Sequence, residues 1–246
     1  MKYTSYIKTL LAAALLNLSA AAFAQNSRLP NNVERSVASA QAQAQQAQEA
    51  AVSITATFQK AVKMSDVMCR RPRCKDQIIS YETKTNICRG TLAKSGVRVY
   101  TTANCMRHKD FALSTVTLKF ANGRTASGGH GAVGFSGDIA YVAVQASVTR
   151  GLNGLDFAVI PQGKSLMDVF GDEIESFLLS FFHEKGVPAH RRARVGRIST
   201  RHPTVKLGDP VLYNGKVIAL VKQVPYIFRR GPFGGVSEKP FAIIRL

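Results

Sequence analysis

From Asp76 to the C-terminus the chain is a succession of short apolar or alternating segments separated by turn residues. This punctuation restricts the fold more than any other feature. Candidate strands are Gln77–Tyr81, Ile87–Leu92, Val97–Thr101, Ser114–Phe120, Ile139–Val144, Phe157–Pro161, Ser176–Phe182, Arg194–Ser199, Pro210–Tyr213, Val217–Val224 and Phe241–Arg245. Asn122-Gly123 closes one of them, and Asn214-Gly215 between two apolar runs is a strong hairpin signal. No long helical pattern intervenes, which disfavours an α/β fold. The texture is all-β, arranged as two small barrels or a sandwich.

The first 24 residues read as an export signal. Lys2 and Lys8 precede the apolar run Leu10–Leu16, and Ala22-Phe23-Ala24 is a small-x-small cleavage site. That run is too short and too alanine-rich for a membrane span, and no later stretch could cross a bilayer. The expected location is the periplasm or exterior of a bacterium. Residues 25–65 are rich in alanine and glutamine and lack Gly and Pro from Asn32 to Met64. Small or apolar residues recur at Val33, Val37, Ala40, Ala44, Ala47, Ala51, Ile54, Phe58 and Ala61 with alternating steps of four and three. That period predicts an N-terminal α-helix, with Asn31 and Glu34 as a capping pair and self-association through residues 33–61 as its sharper use. Its alanine seam buries little area, so a helix lying on its own domain is the blander reading. Residues 66–76 form a cysteine-bounded basic loop, and 77–246 the β domain.

Four cysteines, Cys69, Cys74, Cys88 and Cys105, lie beyond the export signal, an even count that suits two disulfides in an exported chain and allows three pairings. No second Cys or His pair falls at metal spacing, so neither metal nor cofactor is expected. Charge is the other strong signal: 33 Lys and Arg against 15 Asp and Glu, formally +18. Such a field favours an acidic protein or an anionic polymer. The anion-binding candidates are Arg70, Arg71, Arg73, Arg191, Arg192, Arg194, Arg229 and Arg230. Nucleic acid is disfavoured, because these residues are not interleaved with stacking aromatics.

The stretch from Cys88 to Cys105 resembles the region of the catalytic histidine in trypsin-like serine proteases. The family pattern there is Cys-x-Gly-Ser/Thr-Leu, a turn, an apolar strand, then Thr-Ala-Ala-His-Cys. Gly90-Thr91-Leu92 fits its first half and Thr102-Ala103-Asn104-Cys105 its second. Asn104 stands where the family has its base, and an amide has no basic lone pair at neutral pH. The next family marker is an aspartate leading an apolar strand, Asp-Ile-Ala-Leu-Leu. Asp156-Phe157-Ala158-Val159-Ile160 fits it, and in the family this carboxylate orients the imidazole. The third marker, Gly-Asp-Ser-Gly-Gly-Pro, is matched by Gly208-Asp209-Pro210 with the Ser-Gly-Gly missing. The degenerate catalytic positions are therefore Asn104, Asp156, Asp209 and Pro210. The resemblance implies two six-stranded β-barrels of the chymotrypsin type, the second reduced because the segment after Asp156 is short. It implies the bridge Cys88–Cys105, and Cys69–Cys74 is expected beside it, closing a tight loop that holds three arginines outward.

The resulting expectation is an exported, inactive relative of these proteases, not an enzyme, that serves as a binding scaffold for an acidic protein or anionic envelope polymer. Two alternatives stand beside it. One is an envelope assembly component working through the N-terminal helix. The other is a serine hydrolase with a displaced nucleophile, Ser127 or Ser136, and His130 as base.

Overall fold

The computed structural model describes residues 45–63, 78–184, 189–190, 205–222, 227–228 and 241–245. The export signal, Cys69–Cys74 with Arg70, Arg71 and Arg73, the arginines at 191, 192, 194, 229 and 230, and the expected strand 194–199 lie outside them. Residues 45–49 are helical, and at residue 51 the chain becomes strand.

This corrects the long N-terminal helix. β1 spans Ala51–Lys63 and pairs along its whole length with β2, Ile78–Leu92. Val52, Ile54, Ala56 and Phe58 are buried while Ser53 between them is exposed, a period of two. Ile54 and Phe58 are four apart, which satisfies a helical and a strand period alike. What decides is composition, since Val52, Ile54, Thr55, Thr57 and Phe58 are β-branched or aromatic and fit a pleated face. A coiled-coil seam through residues 51–61 is excluded by the burial of Ile54 and Phe58 in the sheet's own core.

β3 (Arg98–Thr102), β4 (Ala112–Phe120), β5 (Thr125–Gly128), β6 (Val133–Ser136) and β7 (Ile139–Ala143) complete a seven-stranded antiparallel sheet in the order β5-β4-β1-β2-β3-β7-β6. β1 is thus flanked by β2 and β4, and β3 by β2 and β7, a Greek-key arrangement. The edge strands β5 and β6 are joined by residues 129–132 alone, a span that holds the two edges within ~18 Å and curls the sheet into a half-barrel. Cys88 and Cys105 are bridged, with Cα atoms 6.1 Å apart, which ties β2 to the turn after β3.

The second half is smaller. β8 (Asp156–Phe157), β10 (Pro210–Tyr213), β11 (Lys216–Val221) and β13 (Phe241–Ala242) form a four-stranded sheet, and β9 (Ala189–His190) pairs with β12 (Ile227–Phe228). Among the described residues no six-stranded second barrel is present. Asn214 at φ 48° and Gly215 at φ 75° make the two-residue hairpin turn between β10 and β11. The expected strand over 176–182 is instead a helix, Glu173–Glu184. Ile174, Phe177, Leu178 and Phe181 follow the i, i+3, i+4, i+7 spacing of one helical face, and they pack on the second core. β11 is buried from Val217 to Val221, and a bulge opposite Val211 and Leu212 shifts its parity. Val217 and Leu220 consequently join the first core, and Ile218, Ala219 and Val221 the second.

A capping box starts the short helix Leu166–Phe170: the Ser165 hydroxyl accepts from the Asp168 N–H at 3.1 Å, and the Asp168 carboxylate accepts from the Ser165 N–H at 2.7 Å. The Ser165 hydrogen bonds hold the Asp168 carboxyl below the usual carboxylate range. A depressed folded-state value stabilises at neutral pH, and the contribution disappears as pH falls through that value. Ser165→Ala should cost about 1 kcal/mol in urea unfolding at pH 7. The cost should shrink as pH falls through the depressed Asp168 value and the carboxylate becomes protonated. An unchanged cost below that value would show that the cap acts without its carboxylate.

Candidate functional site

β3 runs straight into a four-residue helical turn, Ala103–Met106. Ala103, Cys105 and Met106 are buried and the disulfide anchors Cys105, so Asn104 is the residue the turn presents to solvent. Its Nδ2 donates to the carbonyl of Lys222 at 3.2 Å. Lys222 follows β11 directly and sends its Nζ to the Asp138 carboxylate at 2.6 Å. Asp138 heads β7, which pairs with β3, and its carbonyl accepts from the Ala103 N–H at 2.7 Å. Asn104, Asp138 and Lys222 therefore form one cluster at the end of β3.

Asp209-Pro210 meets β11 near the same end. Pro210 is in register with Leu220, the Asp209 carbonyl accepts from Val221 N–H at 2.9 Å, and Gly208 N–H donates to the Val221 carbonyl at 2.8 Å. The Asp209 carboxylate accepts from Lys206 N–H at 2.7 Å and lies 3.4 Å from Arg89 Nε. Gly208 has φ +84°, and a Cβ there would overlap the carbonyl oxygen of Arg89. The 206–209 loop is thus fitted against β2, β3 and β11 at once.

Asp156 lies elsewhere. It is in register with Lys216 at the start of β11 and forms an ion pair with Lys94 at 2.9 Å. Six residues of extended strand, ~20 Å, separate that end from Lys222. The carboxylate that joins Asn104 in this cluster, through Lys222, is Asp138 and not Asp156. The signal was present, because Asp138-Ile139-Ala140 opens an apolar strand with the same three residues as the family marker.

The chemistry available follows from these partners. Asn104 offers an amide. Asp138 and Lys222 neutralise each other, as a partly exposed pair with side chains 54% and 28% exposed. At the third position every backbone donor is used or missing: Gly208 N–H serves Val221, Asp209 N–H serves the Lys206 carbonyl at 3.1 Å, and Pro210 has none. An oxyanion hole needs such donors free and aimed at one point. Ser127 Oγ lies 3.3 Å from Thr117 Oγ1, and Ser136 is a hairpin residue paired with Ile139. Among the described residues no hydrogen bond joins a serine side chain to a histidine, and no three His, Cys, Asp or Glu are grouped to hold a metal.

The described basic residues include several braced on aromatic faces: Arg98 over Tyr141 at 5.0 Å, Arg107 over Phe135 at 4.5 Å and Lys84 over Phe111 at 4.6 Å. Arg124 donates through Nη1 to the Ser147 carbonyl at 3.1 Å. With Thr125, Ser147, Val148 and Arg150 it lines an open hollow of about 420 Å³. These two arginines are isolated in the sequence and belong to no basic run, so only the fold brings them together. No helix among the described residues is long and apolar enough to cross a membrane. No family model matches this chain, and no curated protein matches its sequence.

Proposed function

We propose that this is an exported, catalytically inactive relative of the trypsin-like proteases that acts as a binding scaffold for an acidic protein or an anionic envelope polymer. The observation that carries the reading is the cluster at the end of β3. Two of the three stretches that resemble the catalytic loops of that family, at Asn104 and at Asp209-Pro210, meet at one end of β11, where they bring an amide and a proline near the Lys222–Asp138 ion pair, while Asp156 lies at the other end of the strand. The Greek-key order around β1 and β3 supports the same ancestry. With no base at Asn104 and no free donors at Gly208-Asp209-Pro210, the fold is retained for its surface. That surface is strongly cationic, and cations fixed by stacking or by carbonyls lose less freedom on binding an anion.

Two measurements on the chain from Gln25 test this. A fluorophosphonate probe should leave the protein unlabelled. Labelling that disappears in Ser127→Ala or Ser136→Ala would make it a hydrolase and overturn the proposal. Fluorescent poly-glutamate, followed by anisotropy, should bind at 50 mM salt and weaken at least about tenfold by 300 mM. Absence of binding at low salt would leave the scaffold without its anionic ligand and would equally overturn it.

A further inference from the structure

β1 and β2 are longer than the sheet that contains them. β4 accompanies β1 only to Gln59, and β3 accompanies β2 only at Thr91 and Leu92. Beyond those points Lys60–Lys63 and Ile78–Glu82 continue as a two-stranded arm. A two-stranded ribbon is marginal in water by itself. Among the described residues nothing pairs with the other edge of β2 from Ile78 to Ile87. Native sheets blunt such an edge with charge, proline or a covering segment. This one presents apolar groups instead. Ile78, Ile79, Tyr81 and Ile87 are 47, 46, 59 and 74% exposed, and they account for four of the seven large apolar side chains that are exposed among the described residues. Cys88 and Gly90 face the core, so Tyr81, Thr83, Thr85 and Ile87 share the opposite face, where they carry no charge, and a bulge at Ile79 interrupts the alternation. Depletion of charge at the centre of a patch, within a strongly charged surface, is the compositional mark of an interface.

We infer that the free edge of β2 is a docking strand, which an extended segment of an acidic partner protein joins by main-chain pairing. The mode is addition of one strand to a sheet: backbone hydrogen bonds supply affinity, and the side chains of alternate residues supply choice. The sign of the partner follows from the arm. Along the described residues of the arm and of β2 up to Arg89, Lys60, Lys63, Lys84 and Arg89 stand against Glu82 alone. A second copy of this chain would bring the same positive arm against itself, whereas a glutamate-bearing strand complements it. The partner's charge rests on the binding-scaffold reading above; the edge geometry does not.

The probe is a ten-residue peptide alternating valine with glutamate, titrated onto the chain from Gln25 by anisotropy, with amide hydrogen exchange as the second readout. The peptide is expected to bind and to slow exchange of amides between Ile78 and Ile87. N-methylating every second peptide nitrogen, which removes the donors of one edge, should weaken binding at least about tenfold. Thr83→Pro in the protein should weaken it similarly, and because that variant can misfold, the methylated peptide on unaltered protein remains the deciding comparison. Binding that ignores N-methylation, no binding at all, or protection confined to other strands would overturn the proposal. So would a dimer in sedimentation that is lost in Thr83→Pro, since the occupant would then be a second copy. A lysine-for-glutamate peptide that binds equally well would remove the acidic partner. Poly-glutamate binding without strand-peptide binding would sink the docking edge while leaving the scaffold reading intact.

Discussion

Gly208→Ala is expected to destabilise the protein by more than about 4 kcal/mol, lowering its melting temperature by roughly 8–16 °C, or to prevent folding altogether. Two costs add. The residue sits at φ +84°, which any side chain resists. The new Cβ would also overlap the Arg89 carbonyl oxygen and approach Thr101 Oγ1 to 2.6 Å. Neither neighbour can yield cheaply: Thr101 Oγ1 donates to that same carbonyl at 2.7 Å, and Arg89 N–H is bound to the Leu207 carbonyl at 2.8 Å. Gly215→Ala separates the two costs. It has φ +75° but open space around its Cβ position, so thermal melts should show a loss of only about 1 kcal/mol. Equal losses at the two positions would mean that the 206–209 loop is not fitted against β2 as described.

Phe58→Ala should cost about 3–5 kcal/mol in denaturant unfolding. Phe58 is fully buried, and its ring is 5.8 Å from that of His108, which in turn packs edge-on to Phe111. Thr57, its half-buried neighbour on the other face, should tolerate alanine within about 0.5 kcal/mol. A seam helix would put its losses at Ala51, Ile54, Phe58 and Ala61, so that Ala61→Ser would matter and a change at Ala56, buried only in the strand, would not. Phe58 is interior on either reading, so a large loss at Ala56 beside a small one at Ala61 is what distinguishes a core strand from a seam helix by measurement.

The all-β texture and both Asn-Gly turns were legible because each is a local signal, carried by alternation or turn chemistry, whereas the Cys88–Cys105 bridge came from the family resemblance and not from spacing. β1 reads as a helix because Ala and Gln upstream set that expectation and Ile54 and Phe58 fit either period, although the β-branched and aromatic residues from Val52 to Phe58 suit the strand that pairs with β2 and β4. The helix Glu173–Glu184 was misread for a related reason. Ser176–Phe182 is a compact apolar run, and short apolar runs do not declare their period unless the flanking Ile174 is counted with them. At the site, Asn104 and Asp209-Pro210 were found by motif and Asp138 was not. Two aspartates lead apolar strands here, and which of them flanks β3 is a matter of strand order, a non-local property.

The parity shift in β11 also bears on modularity. Because one strand contributes Val217 and Leu220 to one core and Ile218, Ala219 and Val221 to the other, neither half owns a complete interior. A fragment ending before Lys216 would leave the half-barrel open on the side that Val217 and Leu220 close. During synthesis the first seven strands wait for a strand that begins 73 residues after β7 ends. The two halves consequently fold and fail together, and the second could not be shed without also unmaking the first.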